Sequence, residues 1–367
     1  MKKIRRKKLI ILSIVILFIV ILLALYFSIY NKKDKNQNKK EIIEEKEPKK
    51  EQKKITIIDE NSNKRPIAVM IDNNVGNSSQ AGLQDSYINY EMIVEGGLTR
   101  IMALFKDKDV KLIGPVRSSR HYFLDYSLES DCIYTHYGWS TYAENDIKDL
   151  LVNNINGLYD DAPFWRDTSI GAPHNVFTTT EKIYNNAEQK KYSITSNMWK
   201  LLDYSAEEID LSSPIKTETI KNENTGKKEK VDVKKPELIV ANSITIPYSY
   251  YQTRSYKYDA TRKVYLRFMN NTAHIDKTTK EQLYYKNVII EKVDNKQLDT
   301  YGRQDLTTVG TGTGYYITNG YALPIIWTKE SRKLKTKYTY KDGTKVKIND
   351  GNIFIQIEPS NFNPTIE

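Results

Sequence analysis

The sequence predicts an α/β N-terminal domain with a mixed sheet, α+β being the alternative. An all-β, sandwich-like C-terminal domain follows it, and an N-terminal transmembrane helix precedes both. Three observations carry this. Between residues 61 and 205, short apolar runs that end in Gly or polar residues alternate with amphipathic stretches. The chain from 241 to 367 holds roughly seven short runs with turn signals between them, the pattern of stacked sheets. Residues 9–30, "LIILSIVILFIVILLALYFSIY", are 22 residues without a charge. At about 1.5 Å per residue that run spans an ~30 Å hydrocarbon core.

In chain order, residues 1–8, "MKKIRRKK", form a basic tail expected on the cytoplasmic side. The uncharged run is longer than the ~7–15-residue core of a cleaved signal peptide, so it reads as a retained anchor. Residues 31–60 are polar and charged, a disordered stalk. "RPIAVMIDN" and "NYEMIVEGG" then read as buried strands, and "TRIMALFKDKDVKLIGPV" as a hairpin turning at Asp107-Lys108-Asp109. "SSRHYFLDYSLESD" places Leu124 and Leu128 at helical spacing, with Ser118 or Ser119 as the cap. The strand "CIYTHYGW" follows and completes a parallel βαβ unit. Thr178-x-x-Glu181 reads as a capping box for the next helix. Residues 206–240 are rich in Lys, Glu, Asn and Thr and form a linker or insertion. Beyond it come the strands "RSYKYD", "KVYLRF", "YYKNVIIEKV" and "GNIFIQIEP", with a hairpin at Asp342-Gly343 in "YTYKDGTKVKI".

The net charge of +10 invites a nucleic-acid reading, but its distribution excludes one. Residues 1–54 hold 16 of the 56 Lys and Arg and 6 of the 46 Asp and Glu, which leaves 40 of each in the rest. Nucleic-acid binding needs the basic excess on the folded surface. Cys132 opens an apolar run and reads as a buried strand residue, so no disulfide forms within the chain. Four scattered His and one Cys have no metal-site spacing, and Gly310-Thr-Gly312-Thr-Gly314 lacks the dinucleotide-loop pattern. No cofactor or metal is expected.

Five ordered motifs, "RPIAVMIDN", "YEMIVEGGLTRIMALF", "IGPVRSSR", "GAPHNVFTTT" and "GR…VGTGTGYYITNG…IIWTK", together resemble the YerB-like family of Gram-positive envelope proteins, a domain of unknown function. The resemblance covers nearly everything after residue 60. It implies an exported, membrane-attached protein and no established activity. That family usually carries a lipid-modified Cys just after the apolar run; none lies there in this chain, so the transmembrane anchor takes its place.

The polar residues of chemical interest gather at predicted strand ends. Arg117 and Arg120 stand at the start of the predicted helix, where the helix dipole disfavours a cation by a few tenths of a kcal/mol to about 1 kcal/mol. Some anion is expected to compensate. Asp72, Glu91 or Glu95 can supply it internally; a bound carboxylate or phosphate can supply it from outside. Arg117 and His136 follow successive strand ends, and Arg100 heads a strand facing the same rim, where ligands bind in open α/β sheets. His136 also fits a satisfied buried histidine, and His174 a loop residue bonded to nearby backbone. A Ser–His–Asp set from Ser118 or Ser119, His136 and Asp72 has no nucleophile-elbow motif behind it. The sequence therefore reads as a single-pass, extracytoplasmic protein that binds an anionic envelope ligand, a wall polymer or peptidoglycan. The alternatives are a wall hydrolase using Glu95 or His136 as acid/base, and a scaffold for other membrane proteins.

Overall fold

The computed structural model describes residues 17–29 and 54–367, except 75, 77, 78, 199, 201, 214, 215, 222–227, 234 and 236. The chain divides into two compact units, 1–52 and 53–367. In the first, residues 17–29 are helical with exposed side chains. The basic tail, residues 9–16 and 30 of the expected span, and 31–53 of the expected stalk lie outside the described residues. Among the described residues no helix is long and apolar enough to cross a membrane.

The second unit begins sooner than expected. The backbone N–H groups of Thr56 and Ile57 donate to the Asp350 carboxylate at 2.8 and 3.0 Å, and Ile58 is buried. Residues 56–58 are therefore docked, and the stalk reading does not hold for them.

The unit is built on one mixed sheet of eleven strands. Its N-terminal strands are β1 (Ile67–Asp72), β2 (Ile88–Ile93), β3 (Thr99–Phe105), β4 (Ile133–His136) and β5 (Asn154–Asn156). The helices α1 (Phe123–Glu129), α2 (Thr141–Asp149) and α3 (Thr180–Gln189) are interspersed with them. The C-terminal region contributes β6 (Ile239–Val240), β10 (Asn287–Val293), β11 (Gly310–Thr318), β12 (Tyr321–Lys329), β13 (Lys337–Thr339) and β14 (Ile353–Pro359). The strand order is β6-β12-β11-β10-β14-β2-β3-β1-β4-β5, with β13 beside β12. β1, β2 and β14 are wholly buried, which is why they read as unbroken apolar runs.

A second, antiparallel sheet is formed by β7 (Ser243–Ser249), β8 (Gln252–Asp259), β9 (Val264–Met269) and β15 (Thr365–Ile366), with short pairings at 272–273 and 284–285. β9 alternates between half-buried and buried positions, the period-two signature of a sheet wet on one side. Its dry side rests on the large sheet, where Tyr256 and Tyr285 meet Phe354 edge-on at 6.3 and 4.9 Å. α1 covers the opposite face, with Tyr126 stacked on Tyr90 at 4.8 Å.

A mixed sheet with few helices and a largely β C-terminal region agrees with the expected fold class. The expected partition into two sheets by domain is replaced, because β14 pairs in parallel with β10 on one side and β2 on the other. The interval 206–240 holds a hairpin, Lys216–Lys221 with Lys228–Val233, and the edge strand β6. The hairpin expected at Asp107–Asp109 is absent. Both edges of β3 are occupied, by β2 and β1, so residues 110–117 instead lie beside Val176 and the end of β1. The hairpin partner of β3 is β2, joined through Gly96 and Gly97 at φ 63° and 68°. The parallel neighbours of β4 are β1 and β5.

Capping differs as well. α1 starts at Phe123, with Tyr122 at the cap position and no side-chain cap. α3 is capped by Thr179, whose hydroxyl accepts from the Lys182 N–H at 3.0 Å, one residue beyond the expected Thr178.

Candidate functional site

β1, β2 and β4 run the same way, so their carboxyl ends share one rim of the sheet. Asp72 ends β1, Glu95 follows β2, and His136 ends β4. Arg100, near the start of the antiparallel β3, lies opposite Asp72 in the ladder. The segment 117–120 is laid across this rim by backbone bonds from the Arg117 N–H to the Met70 carbonyl at 2.9 Å and from the Ser119 N–H to the Gly138 carbonyl at 2.9 Å. Gly114 makes that path possible. It sits at φ 148°, and a Cβ there would lie 2.7 Å from the Val176 carbonyl oxygen.

Three guanidiniums meet two carboxylates. Arg120 grips Glu95 bidentately, Nε to Oε1 at 2.5 Å and Nη2 to Oε2 at 2.6 Å. Burial works against the ionised form of Glu95, but Arg120 outweighs it and holds the carboxyl below its ordinary range. Asp72 is 2 % exposed; its Oδ2 lies 2.6 Å from His174 Nδ1 and 3.0 Å from Arg117 Nε. The Arg117 contact is close enough for charge but misdirected for a hydrogen bond, since that Nε has no hydrogen-bond partner. His174 is thus bound to a carboxylate rather than only to the backbone of its own loop.

Arg100 is the unbalanced member. Its Nη1 donates to the Ser118 carbonyl at 2.5 Å, while its Nε is buried without a partner. Among the described residues no carboxylate comes within ion-pairing distance of it. Burial, aided by the charges of Arg120 and Arg117 and only partly offset by those of Asp72 and Glu95, pushes its pKa down to about 9. A buried cation held beside two others is costly unless an anion joins it.

His136 is fully buried. Nδ1 lies 2.7 Å from the Gly138 carbonyl and Nε2 3.3 Å from Asn154 Oδ1, and burial pushes its pKa down to about 4. With its pKa held low the ring carries a single proton, which Nδ1 donates at the shorter contact, while Nε2 only faces the Asn154 amide oxygen. Ser118 donates to the Tyr137 carbonyl and Ser119 accepts from the Tyr134 hydroxyl, so no Ser–His–Asp relay is assembled. Glu95, clamped and ionised, is not arranged as a proton donor. Glu91 is not at this rim. It points to the other face of the sheet, where Arg254 and Arg267 hold it.

The sequence reading missed the far wall of the rim. Gly302 approaches Gly96, Arg303 adds a cation near Glu95, and Asp305 pairs with His121 at 3.0 Å. The signal was present in the "GR" of the fifth motif, but nothing local says where that loop lands.

A groove of about 770 Å³ lies elsewhere, towards the β12–β13 edge, with Leu211, Leu323 and Tyr340 among its walls and Lys341, Lys345 and Lys347 around it. It contains none of the predicted site residues.

Comparison with known proteins gives one consistent result. "Protein of unknown function (DUF3048) N-terminal domain" matches residues 55–193, and the corresponding C-terminal domain matches 244–355. The protein named "Putative lipoprotein YerB" of Bacillus subtilis (strain 168) is 28% identical over 297 residues, 81% of this chain and 82% of that one. The crystal structure of YerB protein from Bacillus subtilis superposes with a TM-score of 0.68 at 25% identity, covering 83% of this chain and 94% of that chain. The guanidinium cluster falls in the first matched region and the Arg303 loop in the second.

Proposed function

This chain belongs to the DUF3048 family through both of its matched domains, and from that premise we propose that it is a membrane-attached extracytoplasmic protein that captures an anionic group of the cell envelope at the arginine rim. The anion is a carboxylate or phosphate. The observation that carries this reading is Arg100, a buried guanidinium with an unpartnered Nε and, among the described residues, no direct ion pair, flanked by Arg117 and Arg120. Those two are provided for by Asp72 and Glu95. An incoming oxyanion would supply the charge and the acceptor that Arg100 lacks. Attachment is assigned to the uncharged run 9–30, in keeping with the lipoprotein name of the relative.

The test is thermal unfolding of the full-length protein in rising phosphate and in rising acetate. A ligand that binds only the folded state at 100 times its Kd stabilises by about 2.7 kcal/mol. Arg100→Met should abolish that response. A parent protein indifferent to both anions, or a variant that still responds, refutes the rim as an anion site. For attachment, mass spectrometry of the membrane fraction should find the N-terminus intact; a mature end near residue 30 would overturn the anchor.

A further inference from the structure

We propose that the anion recognised at this rim is carried by a saccharide, whose ring stacks on the aromatic surface formed by Trp139 and Tyr159. This rests on the anion reading above and specifies the class of molecule. Four rings form a ladder beside the arginine loop: Tyr134 to His136 at 5.1 Å, His136 to Trp139 at 5.6 Å, and Trp139 to Tyr159 at 5.7 Å. Its inner end is tied to the loop, since the Tyr134 hydroxyl donates to Ser119 Oγ at 2.8 Å. Its outer end is open. Trp139 is half-buried, and Tyr159 and its neighbour Leu158 are 73% and 56% exposed.

The ladder cannot drift from the guanidiniums. Residues 117–119 and 137–140 are stitched by the Tyr137 N–H to the Arg117 carbonyl at 3.0 Å and the Ser140 N–H to the Ser119 carbonyl at 3.2 Å, with a further bridge from Ser119 to Trp139. A ligand that places its charge at Arg100 therefore meets a wet aromatic face within the same short stretch of rim.

The chemistry of that face selects the ligand. An aromatic face is apolar and electron-rich. The C–H face of a pyranose is apolar and weakly electropositive, while its hydroxyls remain in water. The rings of the ladder are tilted by 34° to 42°, and among the described residues no ring besides Trp139 packs on Tyr159. That suits a puckered sugar better than a flat base, which favours enclosure between two rings. One further buried polar atom beside this ladder, Nδ2 of Asn156, the residue paired with His136, also lacks a partner.

The experiment uses the full-length protein, reads binding by tryptophan fluorescence and calorimetry, and compares three probes. N-acetylmuramic acid carries a sugar and a lactyl carboxylate; N-acetylglucosamine is the sugar without the acid; lactate is the acid without the sugar. The expected order is N-acetylmuramic acid at least tenfold tighter than lactate, with N-acetylglucosamine weakest. Tyr159→Ala should weaken N-acetylmuramic acid about tenfold, equivalent to about 1.4 kcal/mol, and leave lactate unchanged. Arg100→Met should remove both. Equal affinity for N-acetylmuramic acid and lactate, or an unaltered Tyr159→Ala variant, overturns the saccharide inference and leaves the anion site standing. Failure of every anionic probe, phosphate included, overturns both.

Discussion

Two clusters of arginine occupy opposite faces of one sheet, and they differ in a way that separates structure from function. On the face covered by the second sheet, Glu91 receives Arg254 Nε at 2.6 Å and Arg267 Nη2 at 2.5 Å, all three side chains being wholly buried. At the rim, Arg100, Arg117 and Arg120 meet Asp72 and Glu95. Each cluster has one more guanidinium than carboxylate, so net charge does not distinguish them. Neutral acceptors do. The remaining nitrogens of Arg254 bond the Thr253 carbonyl and Thr99, and those of Arg267 bond His274 and Tyr256. Nothing comparable serves Arg100 Nε. A buried cation whose every nitrogen has a partner is part of the framework; one with a buried nitrogen left short of an acceptor is a place for something to bind.

The largest expected effect breaks the framework cluster. Glu91→Gln strands two buried guanidiniums, and loss of one side of such a pair costs about 3–5 kcal/mol. Denaturant unfolding should show it, and a loss below about 1 kcal/mol would mean that the two clusters are alike.

Acid comes next. Burial holds His136 at the rim down to about 4. In the framework cluster, burial and then the charges of Arg267 and Arg254 hold His274 well below its ordinary value. Groups with depressed histidine values contribute stability that is complete above the unfolded pKa near 6.5 and is lost as pH falls towards the folded one. His136 alone should therefore cost roughly 3 kcal/mol between pH 6.5 and 4. Unfolding free energy measured against pH should show that loss, and His136→Asn should flatten the curve.

Arg120→Gln, which leaves Glu95 with a neutral partner, should cost about 1–3 kcal/mol. Arg100→Met should sit at the bottom of the series, within about 1 kcal/mol of the parent or more stable, because replacing a poorly satisfied buried charge by an apolar chain is often neutral or favourable. A loss of several kcal/mol at Arg100 would return it to the framework.

The rim was legible in the sequence because its residues follow strand ends within short motifs: Asp72 after "IAVMI", Glu95 before the two glycines, Arg117 and Arg120 after Gly114-Pro115. Strand ends are local events, and local pattern reveals them. The framework cluster was not legible. Arg254 and Arg267 sit in alternating strands where a charged residue reads as solvent-facing, yet both are fully buried. Their partner Glu91 lies 163 residues away from Arg254. Alternation tells which residues share a face and does not tell whether the face is wet. The shared sheet escaped for the same reason, since no feature of "GNIFIQIEP" announces that its neighbours are "INYEMI" and "NVIIEKV".

That last strand has a consequence for how the molecule comes into being. β14 lies between β2 and β10 and pairs with both in parallel, Ile353 standing beside Ile88 and Asn287. A ribosome or an export channel delivers Ile88 first and Ile353 hundreds of residues later, so the middle of the sheet stays open until almost the whole chain has emerged. Contacts of such span form slowly, and unpaired edges attract neighbours while they wait. A chain cut short before Ile353 would keep both halves of the sheet and lose the strand that joins them. Completeness of synthesis is in this way written into the fold, and β14, the next-to-last strand, acts as the latch.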